Sequence, residues 1–213
     1  MQQAHENMYN TLVELDIAHR ISQGMSSDDA VKKYNEEAGP HEQTYTKSFM
    51  KRMHWDRYID GIDDNKKMIE IGSYMGESTF LFGCSGIFHE INAIDPHRGV
   101  EPFNIDFDIT WKQVKEEFMI NTRNFDSIRH WEFYSKDVVD EFENDIDFLY
   151  IDANHSYPSV KKDLQLYLPK VKVGGVIGGH DYVEPWTGVI KAVDEFIGKP
   201  DMVYIDGSWI KYL

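Results

Sequence analysis

The stretch Glu70-Ile71-Gly72-Ser73-Tyr74-Met75-Gly76-Glu77-Ser78-Thr79 decides the fold. Met68 to Ile71 reads as a short buried strand, a glycine turn follows, and a helix begins at about Glu77. Gly72 lets the backbone turn sharply where a side chain would block a ligand. Gly76 opens the helix, whose free N–H groups and dipole suit a carboxylate or phosphate, and Ser78 and Thr79 add hydroxyl donors there. About twenty residues past Gly76, at the tip of a second strand, Asp95 is placed to accept both hydroxyls of a ribose. A plain strand-turn-helix with two glycines would share much of this, so the surroundings must decide.

Outward from that stretch, short apolar runs alternate with helical patterns. Ile91 to Ile94 is the second strand, ending at Asp95-Pro96, and a helix covers about Thr110 to Asn121. Trp131 to Tyr134 reads as strand three and Ile146 to Ile151 as strand four, with a helix over about Ser159 to Leu168. Gly174-Gly175 introduces strand five, Val176 to Gly178, and Val189, Val193, Phe196 and Ile197 give the last helix an apolar face. The alternation predicts a parallel sheet with helices on both faces. Met202 to Ile205, Asp206-Gly207 and Ser208 to Leu213 then predict a β-hairpin on a type I′ turn. The expected fold is α/β: a doubly wound, mainly parallel seven-stranded sheet ending in an antiparallel hairpin, with an N-terminal helical extension.

That extension is polar and helical. Met8, Leu12, Leu15 and Ala18 recur at helical spacing over about residues 5 to 22. Ser26-Ser27-Asp28-Asp29 offers an N-cap for a second helix through Glu37, and a third spans about 43 to 60 after Gly39-Pro40. The expected division is a helical cap or arm over 1–62 and the α/β domain over 63–213. The helices and the loop from Pro96 to Asp108 are expected to cover an acceptor site, and the helices could also form a dimer contact, leaving a homo-oligomer open.

Twenty-two Lys+Arg against thirty-seven Asp+Glu leave a net charge of −15. Such a surface repels nucleic acid and anionic lipid, and the strongest basic runs are pairs such as Lys66-Lys67. No apolar run is long enough to span a membrane, and Met1 to Glu14 lacks the basic start and apolar stretch of a secretory signal. With the lone Cys84, these features give a cytoplasmic expectation with no nucleic-acid or membrane partner.

The Gly-x-x-x-Gly spacing departs from the Gly-x-Gly-x-x-Gly of dinucleotide folds, and the terminal hairpin is a second departure. Both favour S-adenosylmethionine over a nicotinamide cofactor. Glu70 to Thr79 resembles the first motif of the catechol O-methyltransferase-like enzymes, members of the class I S-adenosylmethionine-dependent methyltransferases. Asp147 to Tyr157, Asp163-Leu164, Leu168-Pro169, Gly174 to Ile177 and His180-Asp181-Tyr182 resemble a family related to the macrolide-sugar O-methyltransferases. The similarity covers about residues 67 to 198. It implies that Glu70, Gly72, Tyr74 and Ser78 line the methionine end of the cofactor, with Ser73, Gly76 and Asp152 among its contacts. Asp95 would hold the ribose and Ser135 would lie beside the adenine.

Asp152 and His155 follow strand four, and His180 and Asp181 follow strand five, so neighbouring strand ends bring them together. Methyl transfer to a hydroxyl needs a base, and the ordinary imidazole pKa suits that task near neutrality. The resemblance places the base three residues after the metal-binding Asp, which here is His155 after Asp152. Asp152 and Asp181 are hard oxygen ligands for Mg²⁺ or another divalent metal, with His180 where relatives carry Asp. Asp152 could equally be a helix cap or a cofactor contact only. The expected activity is methylation of a small-molecule hydroxyl, on a sugar or phenol. The rivals are a nicotinamide-dependent oxidoreductase or epimerase and a non-catalytic cofactor-binding protein.

Overall fold

The chain divides into two compact units, Met1–Ile62 and Asp63–Leu213. The structure, a computed structural model, describes residues 25–29, 32, 65–99, 110–204 and 207–213. The expected helices over 5–22 and 43–60 lie outside the described residues, as does the loop over 100–109. Of the second expected helix, residues 27–29 and Lys32 are helical. Ser26 caps them, its Oγ accepting from the Asp29 N–H at 3.2 Å and donating to the Asp29 carboxylate at 2.6 Å.

The second unit runs β1 (Lys66–Ile71), α1 (Glu77–Ser85), β2 (Phe88–Ile94), α2 (Trp111–Thr122), β3 (Ile128–Trp131), α3 (Ser135–Val138) and β4 (Ile146–Ile151). It continues with α4 (Tyr157–Tyr167), β5 (Val171–Gly179), α5 (Thr187–Ile197), β6 (Met202–Val203) and β7 (Trp209–Tyr212). The seven strands form one sheet in the order β3-β2-β1-β4-β5-β7-β6. β1 to β5 pair in parallel, and β7 lies antiparallel between β5 and β6. This is the doubly wound, mainly parallel sheet with an antiparallel C-terminal hairpin that the alternation predicts.

β4 shows why the sheet is covered on both faces. All six of its residues are buried, as a strand between two helical layers requires. Leu149 and Ile151 join one apolar cluster with Val160 and Leu164 of α4 and Val189 and Val193 of α5. Phe148 and Tyr150 instead meet Phe82 of α1, ring centroids 5.8 and 5.1 Å apart. α2 begins at a reciprocal cap: Thr110 Oγ1 accepts from the Gln113 N–H at 3.3 Å, and Gln113 Oε1 accepts from the Thr110 N–H at 2.9 Å. Among the described residues no helix is long and apolar enough to cross a membrane.

Two local readings need correction. Strand three occupies Ile128–Trp131, with Ile91 opposite Ile128 and Ile94 opposite Trp131. Phe133 and Tyr134, β-formers by type, lie past its end and are exposed. Strand five begins earlier than expected, at Val171, and passes through Gly174. The turn expected at Asp206-Gly207 lies partly outside the described residues. Its bonds run from the Gly207 N–H to the Tyr204 carbonyl at 3.0 Å and from the Tyr204 N–H to the Ser208 carbonyl at 2.8 Å. Gly207 itself is left-handed, at φ 84°.

The strand order reverses between β1 and β4, since the chain moves outward through β2 and β3 and then returns. A crevice beyond the carboxyl ends of strands is expected at such a switch point. Gly72, Asp95, Asp152 and His180 each follow the strand that carries them there.

Candidate active site

The β1 loop is held by its neighbours. Glu70, fully buried at the end of β1, accepts hydrogen bonds from the hydroxyls of Ser78 and Thr79 on α1, one on each carboxylate oxygen. Burial pushes its carboxyl up to about 7, against the pull of those two bonds. Tyr74 takes a left-handed φ of 42°, unusual for an aromatic residue. Asp95 accepts its N–H at 2.9 Å through one oxygen and the His97 N–H at 2.7 Å through the other. Each Asp95 oxygen retains a second lone pair. Ser73 is buried, and its Oγ has no partner among the described residues.

Gly72 has a reason beyond the one read in the sequence. Its φ is 91°, and a Cβ there would stand 2.2 Å from the Asp152 carbonyl oxygen and 2.6 Å from Ala153 Cα. A side chain there meets the backbone after β4 before any ligand is considered. Gly76, at φ 80° before α1, would place a Cβ 2.9 Å from the Phe118 ring, so it lets α1 and α2 lie close.

Beyond β4 and β5 the chain assembles a second group. Asp152, His155 and Asp181 place potential ligand atoms within 4.8 Å of one another. His155 Nε2 is 2.9 Å from Asp181 Oδ2 and 3.5 Å from Asp152 Oδ1. Its ring packs against Trp186 at a centroid distance of 4.5 Å. His180 stands outside that three-residue group and reaches it through Asp181, its Nδ1 3.2 Å from Oδ1. Asp181 is itself left-handed, at φ 61°.

The electrostatics correct the neutral-pH expectation for His155. Burial alone pulls the imidazole down, but the hydrogen bonds and charges of Asp152 and Asp181 outweigh it and raise the group to about 9. For Asp181, burial is outweighed by His155 and His180, which hold its carboxyl well below the usual range. With the two carboxylates uncovered, His155 is an imidazolium at neutral pH.

Ser135 begins α3, and its Oγ donates to Asp163 Oδ1 at 2.5 Å. The Tyr167 hydroxyl donates to the Ser135 carbonyl at 2.6 Å. Burial lifts Asp163 to about 6, opposed by the Ser135 bond. The Ser135 proton is therefore engaged within the protein, and its hydroxyl offers a ligand only an acceptor. Sequence reasoning missed Trp186, His97 and His130; the position of His97, two residues past Asp95, was the available signal.

Glu70 yields a stability prediction. A carboxyl raised in the folded state contributes stability that is full below its unfolded value and lost as pH rises through the folded one. The protein without ligand should lose stability between about pH 4.5 and 7 on account of Glu70. Glu70→Gln, whose neighbours can reorient their hydroxyls, should flatten that fall by about 1–3 kcal/mol at pH 8. Melting temperatures across this range test it, and parallel curves for both proteins would refute the assignment.

With this geometry in place, comparison with known proteins gives the class. The chain belongs to the methyltransferase domain family, whose model matches residues 69–182. Its fold is that of the class I S-adenosylmethionine-dependent methyltransferases. An uncharacterised protein of Acanthamoeba polyphaga mimivirus is 28% identical over 145 residues, 63% of this chain. The match spans 60% of that relative's length. The O-methyltransferase NovP superposes with a TM-score of 0.56 at 20% identity, covering 78% of each chain. SMU.1697c from Streptococcus mutans, solved in complex with SAH, gives 0.55 at 13% identity over 76% of this chain and 97% of its own. An rRNA methylase from Streptococcus thermophilus gives 0.52 at 12% identity, over 74% and 91%. At these identities the structures share the fold.

Proposed function

We propose that the protein transfers the methyl group of S-adenosylmethionine to a hydroxyl of a small molecule, a sugar or a phenol. The observation that carries this reading is the convergence of Asp152, His155 and Asp181 at the strand ends next to the β1 loop. The loop would hold the cofactor through Glu70, Ser73, Tyr74 and Ser78, and the Ser73 Oγ, unpartnered among the described residues, is a buried hydroxyl that a polar ligand would satisfy. Asp95 would accept from the ribose with its remaining lone pairs, and Ser135 would face the adenine as an acceptor. NovP is described as an O-methyltransferase and SMU.1697c holds SAH, and both agree with this assignment. The net charge of −15 supports a small acceptor over the nucleic acid suggested by the rRNA methylase.

Two carboxylates and an imidazole also fit a divalent cation, with hard oxygens suited to Mg²⁺. When bound, S-adenosylmethionine supplies the methyl group with its leaving group attached, and a cation lowers the pKa of a neighbouring hydroxyl. The protein's own part is alignment and proton removal. Asp152 and Asp181 would hold the cation, His180 would orient Asp181, and Trp186 would restrict the His155 ring. His155 would take the acceptor's proton on Nε2. That requires a neutral ring, and the upward shift fades once both carboxylates direct their charge to a cation.

Titration with S-adenosylhomocysteine, followed by transfer of labelled methyl from S-adenosylmethionine to a panel of sugars and phenols, tests the reading. Without added cation the rate should rise with pH through about 9, because only neutral His155 accepts a proton. Saturating Mg²⁺ should move that midpoint down by about a unit or more. Label on no hydroxyl of the panel would defeat the acceptor class, and an unmoved midpoint would remove the cation.

A further inference from the structure

Tyr74 stands at the centre of the β1 loop, and residues of the β2–β3 edge claim both of its peptide groups. Asp95 takes its N–H, and His97 Nε2 lies 2.8 Å from its carbonyl oxygen. His97, buried and at a left-handed φ of 43°, is in turn 3.2 Å through Nδ1 from Nε2 of His130 on β3. The Phe118 ring of α2 packs on both imidazoles, at centroid distances of 5.5 and 4.5 Å. Neither histidine belongs to the group around His155. Their bonds end on the backbone of the loop assigned to the cofactor.

We propose that His97 and His130 are positioning residues for cofactor binding: a relay from His130 through His97 to the Tyr74 carbonyl holds the β1 loop in its binding conformation. This rests on the assignment of that loop to S-adenosylmethionine. A carbonyl only accepts, so His97 carries a proton on Nε2. That leaves its Nδ1 to accept, and His130 donates to it from Nε2. Burial, reinforced by the adjacent His97, pulls the His130 imidazole down to about 4, so that ring is neutral at pH 7. The relay offsets the cost of left-handed backbone at Tyr74, a strain that an unsupported loop would relieve by leaving the conformation. Asp95 alone anchors only the N–H side of that residue.

The tautomer logic makes the relay testable with three variants. His97→Leu removes both bonds, His130→Leu removes the second donor, and His130→Gln restores an amide N–H that can donate to Nδ1. Calorimetric titration with S-adenosylhomocysteine should show about a tenfold weaker Kd for His97→Leu and about a threefold weaker Kd for His130→Leu. His130→Gln should return the Kd to within about twofold of the unaltered protein. In turnover, the loss should appear in KM for S-adenosylmethionine more than in kcat. A Gln variant as weak as the Leu variant would overturn the proposal, as would equal affinity in all three. Because His130 is only partly buried, its pair of variants remains informative if His97→Leu does not fold. Failure of the unaltered protein to bind S-adenosylhomocysteine would defeat the cofactor assignment and the relay with it, whereas uniform binding defeats the relay alone.

Discussion

His155→Ala is expected to lower turnover on a hydroxyl acceptor by roughly 10²- to 10⁴-fold at neutral pH, the range for losing a general base. The expectation comes from convergence. Nε2 lies 2.9 Å from Asp181 and 3.5 Å from Asp152, so the atom that would take the proton sits between the carboxylates that would hold a cation. Affinity for S-adenosylhomocysteine should change little, because Glu70, Ser78 and Asp95 lie on other elements. Asp181→Ala should be at least as harmful: it removes a cation ligand and one of the two groups that hold the imidazole. Chelation should mimic Asp181→Ala and add little to it. Single-turnover rates with labelled cofactor separate these effects. Near-normal transfer by His155→Ala would remove the base. Chelator resistance alongside a damaged histidine variant would remove only the cation.

Much of this arrangement was legible in the chain. Alternation of strands and helices carried the sheet, because β1, β2 and β4 are apolar runs bounded by glycine or aspartate. Gly72 and Asp95 could be placed at strand ends, and Gly76 at the start of α1, by spacing alone. Spacing also joined Asp152 to His155, three residues apart in one loop. The adjacency of strands four and five brought Asp181 to the same group, but it could not show a carboxylate 2.9 Å from Nε2, and the rise to about 9 was therefore missed. The His97–His130 contact joins residues 33 positions apart across β2 and β3, a distance over which local pattern has no reach. Trp131 to Tyr134 looked like one strand because aromatic type favours strands wherever it occurs. Pairing with β2 ends at Trp131, whose indole donates to Asn92 Oδ1 at 2.9 Å, and the next aromatic residues turn outward.

Gly72→Val should unfold or severely destabilise the protein rather than simply empty its cofactor site. The added Cβ would stand 2.2 Å from the Asp152 carbonyl oxygen and 2.5 Å from its carbon, and backbone cannot swing aside as a flexible side chain can. The same backbone is fixed to the sheet, because the Asp152 N–H donates to the Ile71 carbonyl at 2.8 Å and the Gly72 N–H to Ile94 at 2.9 Å. Relieving the clash would part β1 from β4 at the point where Asp152 is placed. A φ of 91° adds strain for a β-branched residue. Together these effects should cost about 4 kcal/mol or more, which in a chain of this size lowers the melting temperature by about 10 °C or more. Gly174→Ala is the control: its φ of 80° is also left-handed, but a Cβ there meets nothing within 4 Å. That change should cost about 1–2 kcal/mol, from backbone strain alone. The contrast between the two melting temperatures isolates the clash from the dihedral. A Gly72→Val protein that melts like the unaltered one and has lost only S-adenosylhomocysteine binding would overturn this account, returning Gly72 to the task of clearing space for the ligand.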